Sequence, residues 1–245
     1  MDSLYNSNGL IFWSEREIRL RRVFEQHFLA ELKTALLEMN PAWAFFQVET
    51  PILTPETLIN PNYTREDVWF QEGENPGLVL RPETTPGSYA YAAHLLRGLS
   101  KPTRPPFVVW QTGKSFRREQ DQVTKNMRLK EFYQQEFQCI FTADTLNDYH
   151  SAVLEPVRKM IAEMVHLPTR IVVSDRLPSY SQKTMDVEVD NGDKWMEVCS
   201  ISLRTDFPIR AKFQAKNKVV EKDLLVLEVA IGLDCCVYNF NLKKE

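Results

Sequence analysis

The chain has 245 residues, of which 43% are hydrophobic and 26% charged, and its formal net charge is −3. These values are typical of a globular protein with a substantial core, and they exclude a chain that is basic throughout for binding nucleic acid. The four cysteines form no C-x-x-C pair, so we expect neither a disulfide framework nor a zinc site. No apolar run approaches the roughly 20 residues of a membrane span, and the N-terminus lacks the pattern of a secretory signal. We therefore expect one domain over residues 1–245, with reduced thiols, a cytoplasmic location and no membrane partner.

The predicted elements begin with a long helix. Ser14 and Glu17 have the spacing of a capping box, which places the start of the helix at Ser14. Pro41 ends the helix after about Asn40, because proline interrupts a helical hydrogen-bond ladder. The apolar positions at roughly helical spacing, which we expect to face the core, are Ile18, Val23, Phe24, Phe28, Leu32, Leu36 and Met39.

Strands and a second helix follow. The segment WAFFQVETPILTP is apolar, and its prolines favour the edge of a sheet or the end of a strand. Residues 60–77 are typical of a loop, and LVLRPETTPGSYAYAAHLLRG predicts a strand, a turn and a helix over residues 90–96. Residues 107–116 and 128–141 predict two antiparallel strands joined by a long loop.

The remainder of the chain is richer in strands. A helical pattern over residues 146–164 is interrupted by Pro156. The segments RIVVSD, MDVEVD, KWMEVCSISLR and LLVLEVAI then read as strands before a short terminal segment. This order predicts an α+β fold, in which an antiparallel β-sheet is flanked by helices.

The two strands within residues 107–141 present contrasting faces. Because side chains alternate along a strand, Arg117 and Glu119 share a face and Arg118 points away. On the return strand one set of side chains resembles a core, namely Tyr133, Phe137, Cys139 and Phe141. The other set is half polar and contains one flat ring, and it consists of Phe132, Gln134, Glu136 and Gln138.

A nucleotide fits the half-polar face. The guanidinium of Arg117 is a planar fork that suits phosphate oxygens. The ring of Phe132 is able to stack on a purine, and Glu119 is able to accept a hydrogen bond from an exocyclic amine. The alternative is a solvated sheet face with exposed Arg–Glu pairs, which contribute little to stability. Charge and alternation alone leave these two interpretations open.

A second polar arrangement lies in DVEVDNGDKWMEV. If Asn191-Gly192 forms a two-residue turn, the pairing of the strands places Asp186 opposite Glu197. Facing carboxylates repel each other unless a cation or a proton lies between them, and a magnesium ion bound mostly by phosphates would serve. The alternatives are a shifted register, or neutralisation by Lys194 or Arg204.

Taken together, the segments resemble a known family. Their order is similar to that of the catalytic core of class II aminoacyl-tRNA synthetases, most closely the glycyl-type members, and the resemblance covers most of the chain. Residues 14–55 resemble motif 1, with Pro51 as its proline, and residues 107–141 resemble motif 2, F-R-x-E followed by R-x-x-E-F. LRPETTPGSYAY and WMEVCSISLRTDF resemble two further family segments, and residues 224–240 resemble a degenerate motif 3.

The resemblance implies an ATP site with bound Mg²⁺. In it, Arg117 would contact the α-phosphate, Glu119 the adenine and Arg128 the outer phosphates, while Phe132 would stack on the base. Glu197, with Asp186, would hold the magnesium ion, and Arg117, Arg128 and Glu197 are the expected catalytic residues. The chemistry implied is attack of an amino-acid carboxylate on the α-phosphorus, in which positioning and electrostatics replace a protein nucleophile.

The resemblance also implies an amino-acid pocket, a tRNA partner and a dimer. The expected substrate-binding residues are Arg81, Glu83, Glu136, Arg204 and Glu228. Glu83 and Glu136 suit the α-amino group, although the sequence does not indicate which amino acid or similar carboxylate binds. The loop over residues 120–127 would approach the acceptor end of a tRNA, and motif 1 would form a homodimer interface.

Three departures from the family pattern separate fold from activity. Cys235 stands where the motif 3 arginine would bind the γ-phosphate, with Lys114 and Arg210 as candidates to replace it. Val229-Ala230 replaces a Pro-Ser pair, and the chain ends at Glu245 without the anticodon-binding domain that the family pattern would place there. A guanidinium–phosphate hydrogen bond contributes on the order of a few kcal/mol, so a thiol is a poor substitute.

Three functional hypotheses follow. The first is an ATP-dependent enzyme that adenylates an amino acid or similar carboxylate and transfers it to tRNA or another acceptor. The second is a catalytically weakened paralogue that binds tRNA or a protein partner as a regulatory module. The third, a scaffold whose pocket residues only stabilise the sheet, is the least favoured, because paired like charges cost stability when no ligand is bound.

Overall fold

The computed structural model describes residues 6–7, 9–70, 77–98, 102–118, 127–175, 178–215 and 218–242. The helices are α1 (Glu15–Met39), α2 (Thr85–Arg97), α3 (Tyr149–Val165) and α4 (Leu233–Leu242). The strands are β1 (Asn6–Ser7), β2 (Leu10–Ile11), β3 (Ala44–Gln47), β4 (Leu53–Pro55), β5 (Trp69–Phe70), β6 (Leu78–Leu80), β7 (Phe107–Phe116), β8 (Glu131–Thr142), β9 (Thr169–Val173), β10 (Ser181–Asp190), β11 (Trp195–Arg204), β12 (Ala211–Ala215), β13 (Lys218–Lys222) and β14 (Leu224–Gly232). None of the helices in the described ranges is long and apolar enough to cross a membrane.

The first helix begins and ends where the sequence predicts. Ser14 is its N-cap and Asn40 its C-cap, and the carboxylate of Glu17 accepts a hydrogen bond from the backbone nitrogen of Ser14 at 3.1 Å. Val23, which we expected to face the core, is 53% exposed, because successive helical residues are about 100° apart and its neighbour lies on the buried stripe. That stripe consists of Phe24, Phe28, Leu32 and Leu36.

Seven strands form the main sheet, in the order β3-β7-β8-β14-β11-β10-β9. The prediction of an antiparallel sheet flanked by helices is confirmed, with one exception: the edge strand β3 runs parallel to β7. The segment predicted as one strand divides into β3 in the main sheet and β4 in a small sheet with β6 and β5. Pro51 lies between them, and it has no N–H group to continue a ladder. The segment predicted to be a loop contains the short strand β5.

The helices cover the two faces of the main sheet unequally. On one face α1, α3 and α4 pack against each other and against the strands, and they enclose the larger apolar core. On the other face α2 packs over the strand ends, where Tyr89 and Ala92 form a smaller core with Phe107 and Val109. Because α2 has only 13 residues, it leaves part of this second face for polar side chains.

Two helices differ from the prediction. The helix α2 begins at Thr85, several residues early, because Pro86 in its first turn needs no backbone hydrogen bond. The helix α3 continues through Pro156 without ending. Its buried apolar face holds it against the sheet, and the carboxylate of Asp148 caps its start by accepting from the backbone nitrogen of Ser151 at 3.1 Å.

The register of the sheet places a row of side chains across five strands on the face that α2 partly covers. Directly opposed residues on neighbouring strands point to the same face, and the row consists of Asp186, Ser200, Ala230, Glu136 and Gln111. The predicted division of residues 132–141 into two faces is confirmed. Phe137 and Cys139 lie in the larger core, whereas Glu136 and Gln138 lie on the polar face.

Gly113 and Gly232 both pair with Gln134, from opposite sides, and form a matched test of packing. A Cβ atom on Gly113 would lie 2.3 Å from Nη2 of Arg81, whereas one on Gly232 would meet its nearest atoms at 3.5 Å. The Arg81 side chain cannot easily move, because it donates to the backbone oxygens of Lys114 and Thr50. We expect Gly113→Ala to lower the free energy of unfolding by about 2 kcal/mol, as overpacking does, and Gly232→Ala to change it by less than about 1 kcal/mol. Urea unfolding measures both variants, and equal stabilities would contradict the close packing of Arg81 against Gly113.

Candidate active site

A cleft of about 580 Å³ opens over the polar face of the main sheet. Its walls come from the β7–β8 and β10–β11 hairpins and from the start of α4. The residues expected from the sequence that line it are Arg117, Arg128, Phe132, Asp186 and Glu197. The guanidinium and the aromatic ring that alternation assigned to one surface therefore meet in one cavity.

Arg117 and Phe132 form the defined part of the cleft wall. The Cζ atom of Arg117 lies 5.1 Å from the centre of the Phe132 ring, and its Nε donates to the backbone oxygen of Pro82 at 3.1 Å. Its backbone nitrogen donates to the oxygen of Lys130 at 2.9 Å, which closes the hairpin beyond the last strand pair. A flat ring beside a positioned planar cation suits an aromatic base with a phosphate attached to it.

Of the other residues expected at the nucleotide, two line the cleft and one lies outside the described residues. Arg128 and Glu197 line the same cleft, and both side chains are exposed. Glu119, expected at the adenine, lies outside the described residues, as does the segment 120–126 that we expected to approach a tRNA acceptor end. Their roles therefore stay predictions.

The predicted pairing of Asp186 with Glu197 is wrong, because the hairpin does not turn at two residues. The connection consists of residues 191–194, and the side-chain oxygen of Asn191 accepts two backbone hydrogen bonds at 3.0 and 3.1 Å. A bulge further along β10 shifts the register again. The four-residue connection alone places Glu197 opposite Glu188, and the bulge lies beyond that pair.

Asp186 lies opposite Ser200 instead, and burial raises its pKa. Its Oδ1 atom is buried without a hydrogen-bond partner among the described residues. Glu188 is neutralised by Arg170 at 2.7 Å rather than by the cations that the sequence suggested. Within the described ranges, no group of three or more His, Cys, Asp or Glu side chains is placed to hold a metal ion. A magnesium ion would therefore take most of its ligands from phosphate oxygens.

A cluster of buried carboxylates lies on the same face of the sheet. Glu83 follows β6, Glu136 lies on β8 and Glu228 on β14, and they are 6%, 3% and 7% exposed. Arg204 is also buried, and its Nη1 donates to Glu228 at 2.7 Å. Its other two nitrogens donate to Asp206 at 3.1 and 2.7 Å. The cluster therefore holds more acidic groups than its one guanidinium neutralises.

Two of the three glutamates are well supplied with hydrogen bonds. Glu136 accepts from the hydroxyls of Thr84 at 2.6 Å and Thr85 at 3.1 Å. Glu228 accepts from Gln138 at 2.7 Å in addition to its ion pair, and it shares the single proton of the Thr85 hydroxyl, at 2.9 Å, with Glu136. Because these donors satisfy both carboxylates, the sheet itself holds them in fixed positions.

Glu83 is different, because half of its carboxylate has no partner. Its Oε1 atom is buried with no hydrogen bond to any described residue, and its Oε2 accepts only a long one, of 3.4 Å, from Tyr63. Burial raises the pKa of Glu83 to about 8, although the nearby positive charge of Arg204 acts in the opposite direction. The preceding residue, Pro82, accepts the hydrogen bond from Arg117. The carboxylate of Glu83, which forms no ion pair with a described residue, therefore follows directly after the residue that holds the guanidinium of the cleft.

Arg81, the other residue expected at the substrate, points elsewhere. Its Nε donates to the backbone oxygen of Lys114 at 2.9 Å, and its Nη1 donates to the backbone oxygen and the hydroxyl of Thr50 at 2.8 Å. These bonds connect the end of the motif 1 segment to β7. They favour a structural role for Arg81 over the predicted contact with substrate.

Sequence reasoning missed several residues of the pocket. Thr84 and Thr85 directly follow Glu83 in LRPETTP, so the two adjacent hydroxyls were the available signal. Tyr180 and Tyr89 flank the guanidinium of Arg204, with ring centres 4.0 and 5.4 Å from its Cζ. The tyrosines come from distant segments, and no local pattern marks them.

Cys235 lies in the first turn of α4 and lines the cleft. Burial raises the pKa of its thiol to about 12, so the group is neutral at ordinary pH. The two candidates to replace an arginine at this position are engaged elsewhere. Lys114 bonds to Glu131 at 2.9 Å, and Arg210 bonds to Asp223 at 2.7 Å beside the β12–β13 hairpin.

Comparison with known proteins identifies the family. The family model described as the tRNA synthetase class II core domain (G, H, P, S and T) matches residues 67–237. The chain belongs to this class II synthetase core family. The resemblance to the class II core is thereby confirmed, and curated relatives that match it are of the glycyl type. Glycine–tRNA ligases from Mycoplasma capricolum and Bifidobacterium longum are 30% and 29% identical to this class II core over 162 and 168 residues.

The matches differ in how much of each protein they cover. The two ligases match 64% and 66% of this chain, which in turn covers only 34% and 33% of their length. Among solved structures, prolyl-tRNA synthetase of Giardia lamblia in complex with prolyl-adenylate aligns with 96% of this class II core at a TM-score of 0.68 and 17% identity. That of Cryptosporidium parvum, complexed with L-proline and AMP, gives a TM-score of 0.71 at 13% identity. This core spans about half of each structure, and at these identities the likeness shows the fold alone.

The raised pKa of Glu83 predicts a specific dependence of stability on pH. Between about pH 4.5 and pH 8 the folded protein keeps a proton that the unfolded chain has lost, so the free energy of unfolding falls as the pH rises through this window. We expect Glu83→Gln to remove this contribution, which is on the order of a few kcal/mol, and to stabilise the protein relative to wild type above pH 8. Denaturant unfolding between pH 4 and pH 9 measures the difference, with the exposed Glu56→Gln as control. A Glu83→Gln profile parallel to wild type would refute the assignment.

Proposed function

We propose that this chain activates an amino acid with ATP, forms an aminoacyl-adenylate and transfers the aminoacyl group to a tRNA. The observation that carries the proposal is the adjacency of two unlike groups: the partly unpartnered buried carboxylate of Glu83, and Arg117 beside Phe132. The first suits an ammonium group, and the second suits a nucleotide phosphate. An amino acid and ATP are the pair of substrates that needs both, side by side.

The arrangement supports the chemistry without a protein nucleophile. The ammonium group of the amino acid would bind at Glu83, where it would supply the positive charge that the carboxylate cluster lacks. One oxygen of its carboxylate would then attack the α-phosphorus of ATP, form a C–O–P bond and release pyrophosphate. Arg117 would stabilise the charge that develops on the phosphate oxygens, a contribution that exists before the reaction begins because Pro82 positions its side chain.

Glycine is the first candidate for the amino acid. The curated relatives are glycine–tRNA ligases, and hydroxyls and amides from Thr84, Thr85 and Gln138 occupy much of the space around Glu136 and Glu228. Magnesium would accompany ATP, bound mainly by its phosphates. The four cysteines are free thiols, which supports a reducing, cytoplasmic location.

A second function is favoured by one observation. The cleft contains the neutral Cys235 at the start of α4, and a cation at this position would assist the binding of a triphosphate. A protein that binds tRNA or a protein partner, without activating an amino acid efficiently, would tolerate this residue. Exchange of pyrophosphate into ATP separates catalysis from this regulatory role.

We also propose that two copies of the chain associate through the motif 1 region. Phe12, just before the motif 1 region, is 63% exposed, Val23 is exposed on α1, and Leu53 is exposed in β4. The edge strand β3 lies in the same part of the chain. We infer that these exposed apolar groups, which come from one stretch of the chain, belong to one interaction surface.

The dimer proposal predicts the effect of a charge on this surface. We expect Val23→Asp to convert a dimer to a monomer, because a carboxylate on an apolar interface would lose its hydration without gaining a partner. Light scattering after size-exclusion chromatography measures the mass. Leu146→Asp, which also adds a charge at a fully exposed position but outside this region, should leave the mass unchanged. A wild-type monomer at micromolar concentration would contradict the proposal.

Amino-acid-dependent exchange of labelled pyrophosphate into ATP tests the activation step. We expect exchange with one small amino acid, and a loss of about 100-fold or more in Arg117→Met, because that variant removes the charge that faces the phosphate. The neighbouring Arg118 is exposed and stacks near Trp69 instead, so Arg118→Met is the matched control. If ATP binds but none of the 20 amino acids supports exchange, the regulatory function is favoured. If Arg117→Met and Arg118→Met behave alike, the proposed site is wrong.

A further inference from the structure

We propose that Tyr63 determines how large an amino acid the pocket accepts, because its ring forms a wall of the pocket beside both Glu83 and Arg117. The inference rests on the proposed function, since it concerns the amino-acid pocket of that reaction. It goes further by naming the residue that restricts the substrate to a small side chain. It follows from the position of the ring and from the way in which the surrounding groups are held.

Tyr63 points inward from an exposed loop. Every other residue of the range 61–67 is exposed, whereas Tyr63 is half-buried. Its hydroxyl donates to Oε2 of Glu83 at 3.4 Å, and burial, together with the nearby carboxylates of Glu83 and Glu136, raises the pKa of that hydroxyl. The hydroxyl therefore keeps its proton at ordinary pH, and it lies among the carboxylates that would receive the ammonium group.

The ring of Tyr63 also lies along the path between the two substrates. Its centre is 5.7 Å from Cζ of Arg117, which in turn lies 5.1 Å from the ring centre of Phe132. An amino acid with its ammonium group at Glu83 and its carboxylate at a phosphate on Arg117 would therefore extend past the ring of Tyr63. Because the Cα atom lies between the ammonium group and the carboxylate, the side chain of the substrate would start beside this ring.

The other groups around the carboxylates are held firmly. The hydroxyl of Thr84 and the amide of Gln138 donate to buried glutamates at 2.6 and 2.7 Å. The ring of Tyr180 lies 4.0 Å from Cζ of Arg204, and the backbone oxygen of Tyr180 accepts two hydrogen bonds from Thr205, at 2.9 and 3.1 Å. Displacing Thr84 or Gln138 would break hydrogen bonds to buried carboxylates, which is unfavourable. These groups therefore form the rigid part of the pocket.

The loop that carries Tyr63 is held by contacts at the surface. The hydroxyl of Ser179 donates to the side-chain oxygen of Asn62 at 3.3 Å, and the backbone nitrogen of Arg118 donates to the oxygen of Asp67 at 3.0 Å. Segments that are held by exposed hydrogen bonds open at a lower cost in free energy than packed strands and helices. The ring of Tyr63 is therefore able to move aside when the substrate enters, and in the closed position it takes up the space beside the Cα atom.

Amino-acid-dependent exchange of pyrophosphate into ATP, with glycine, alanine, serine and threonine, tests the role of Tyr63 on the full chain. The measured quantity is kcat/KM for each amino acid relative to glycine. We expect Tyr63→Ala to raise this ratio for serine and threonine by about 10-fold or more, because removal of the ring opens space beside the Cα atom. Tyr63→Phe keeps the ring and should keep the ratios. Arg65→Ala, which shortens an exposed side chain of the same loop, should keep them as well.

Binding of aminoacyl-sulfamoyl adenosine, a stable analogue of an aminoacyl-adenylate, gives a second readout that needs no catalysis. In calorimetry the wild-type chain should bind the glycyl analogue at least about 10-fold more tightly than the threonyl analogue, and Tyr63→Ala should reduce this difference to less than about 3-fold. If Tyr63→Ala fails to fold, Tyr63→Leu takes its place, because it removes the ring with a smaller loss of apolar contact.

The outcomes separate this inference from the proposed function. Wild-type exchange or binding that does not decrease with the size of the side chain would overturn the inference and leave the proposed function standing. A folded Tyr63→Ala variant with wild-type ratios would do the same. If the wild-type chain neither exchanges pyrophosphate with any amino acid nor binds either analogue, the proposed function fails, and the inference fails with it.

Discussion

The structure depends on an excess of buried negative charge that the polypeptide does not neutralise. Glu83, Glu136 and Glu228 converge on one face of the main sheet, and Arg204 ion-pairs with one of them and with Asp206. Buried charges that lack partners are unfavourable by several kcal/mol, which is why burial raises the pKa of Glu83 and Glu136. A cluster of this kind is stable without ligand only if it takes up protons, and an ammonium group would replace those protons with a positive charge.

The fold keeps this cluster in position by register and by hydrogen bonding. Glu136 belongs to the row that crosses five strands, and the hydroxyls at the start of α2 donate to Glu136 and Glu228. The hydrogen bonds of Arg81 connect Thr50 to β7, and the position of the Arg81 side chain requires glycine at position 113. Rigid strands on one side and a short helix on the other therefore leave little freedom for the carboxylates to separate.

Much of the fold could be predicted, because its signals are local. The capping box at Ser14 and the alternation over residues 132–141 each reflect one element, and both are confirmed. Two predictions failed for different reasons. Asn191 uses its side chain to close a four-residue connection, a local competitor of the two-residue turn, and this moved Glu197 opposite Glu188. Pro156 lies inside a helix that packing holds together. The aromatic walls of the pocket come from segments far apart in the chain, so no single stretch of sequence could indicate them.

The two charged groups of the site, the carboxylate of Glu83 and the guanidinium of Arg117, favour ligands of opposite charge. Pro82 connects them, because it precedes Glu83 in the chain and accepts the hydrogen bond from Arg117. Glu83 suits a cation, whereas Arg117 attracts a phosphate, and the backbone oxygen of Pro82 holds the guanidinium in place. The two substrates together would satisfy both preferences, because the ammonium group of the amino acid suits Glu83 and the phosphate of the nucleotide suits Arg117. A base stacked on Phe132 would keep its first phosphate within reach of Arg117, where the carboxylate of the amino acid would meet it.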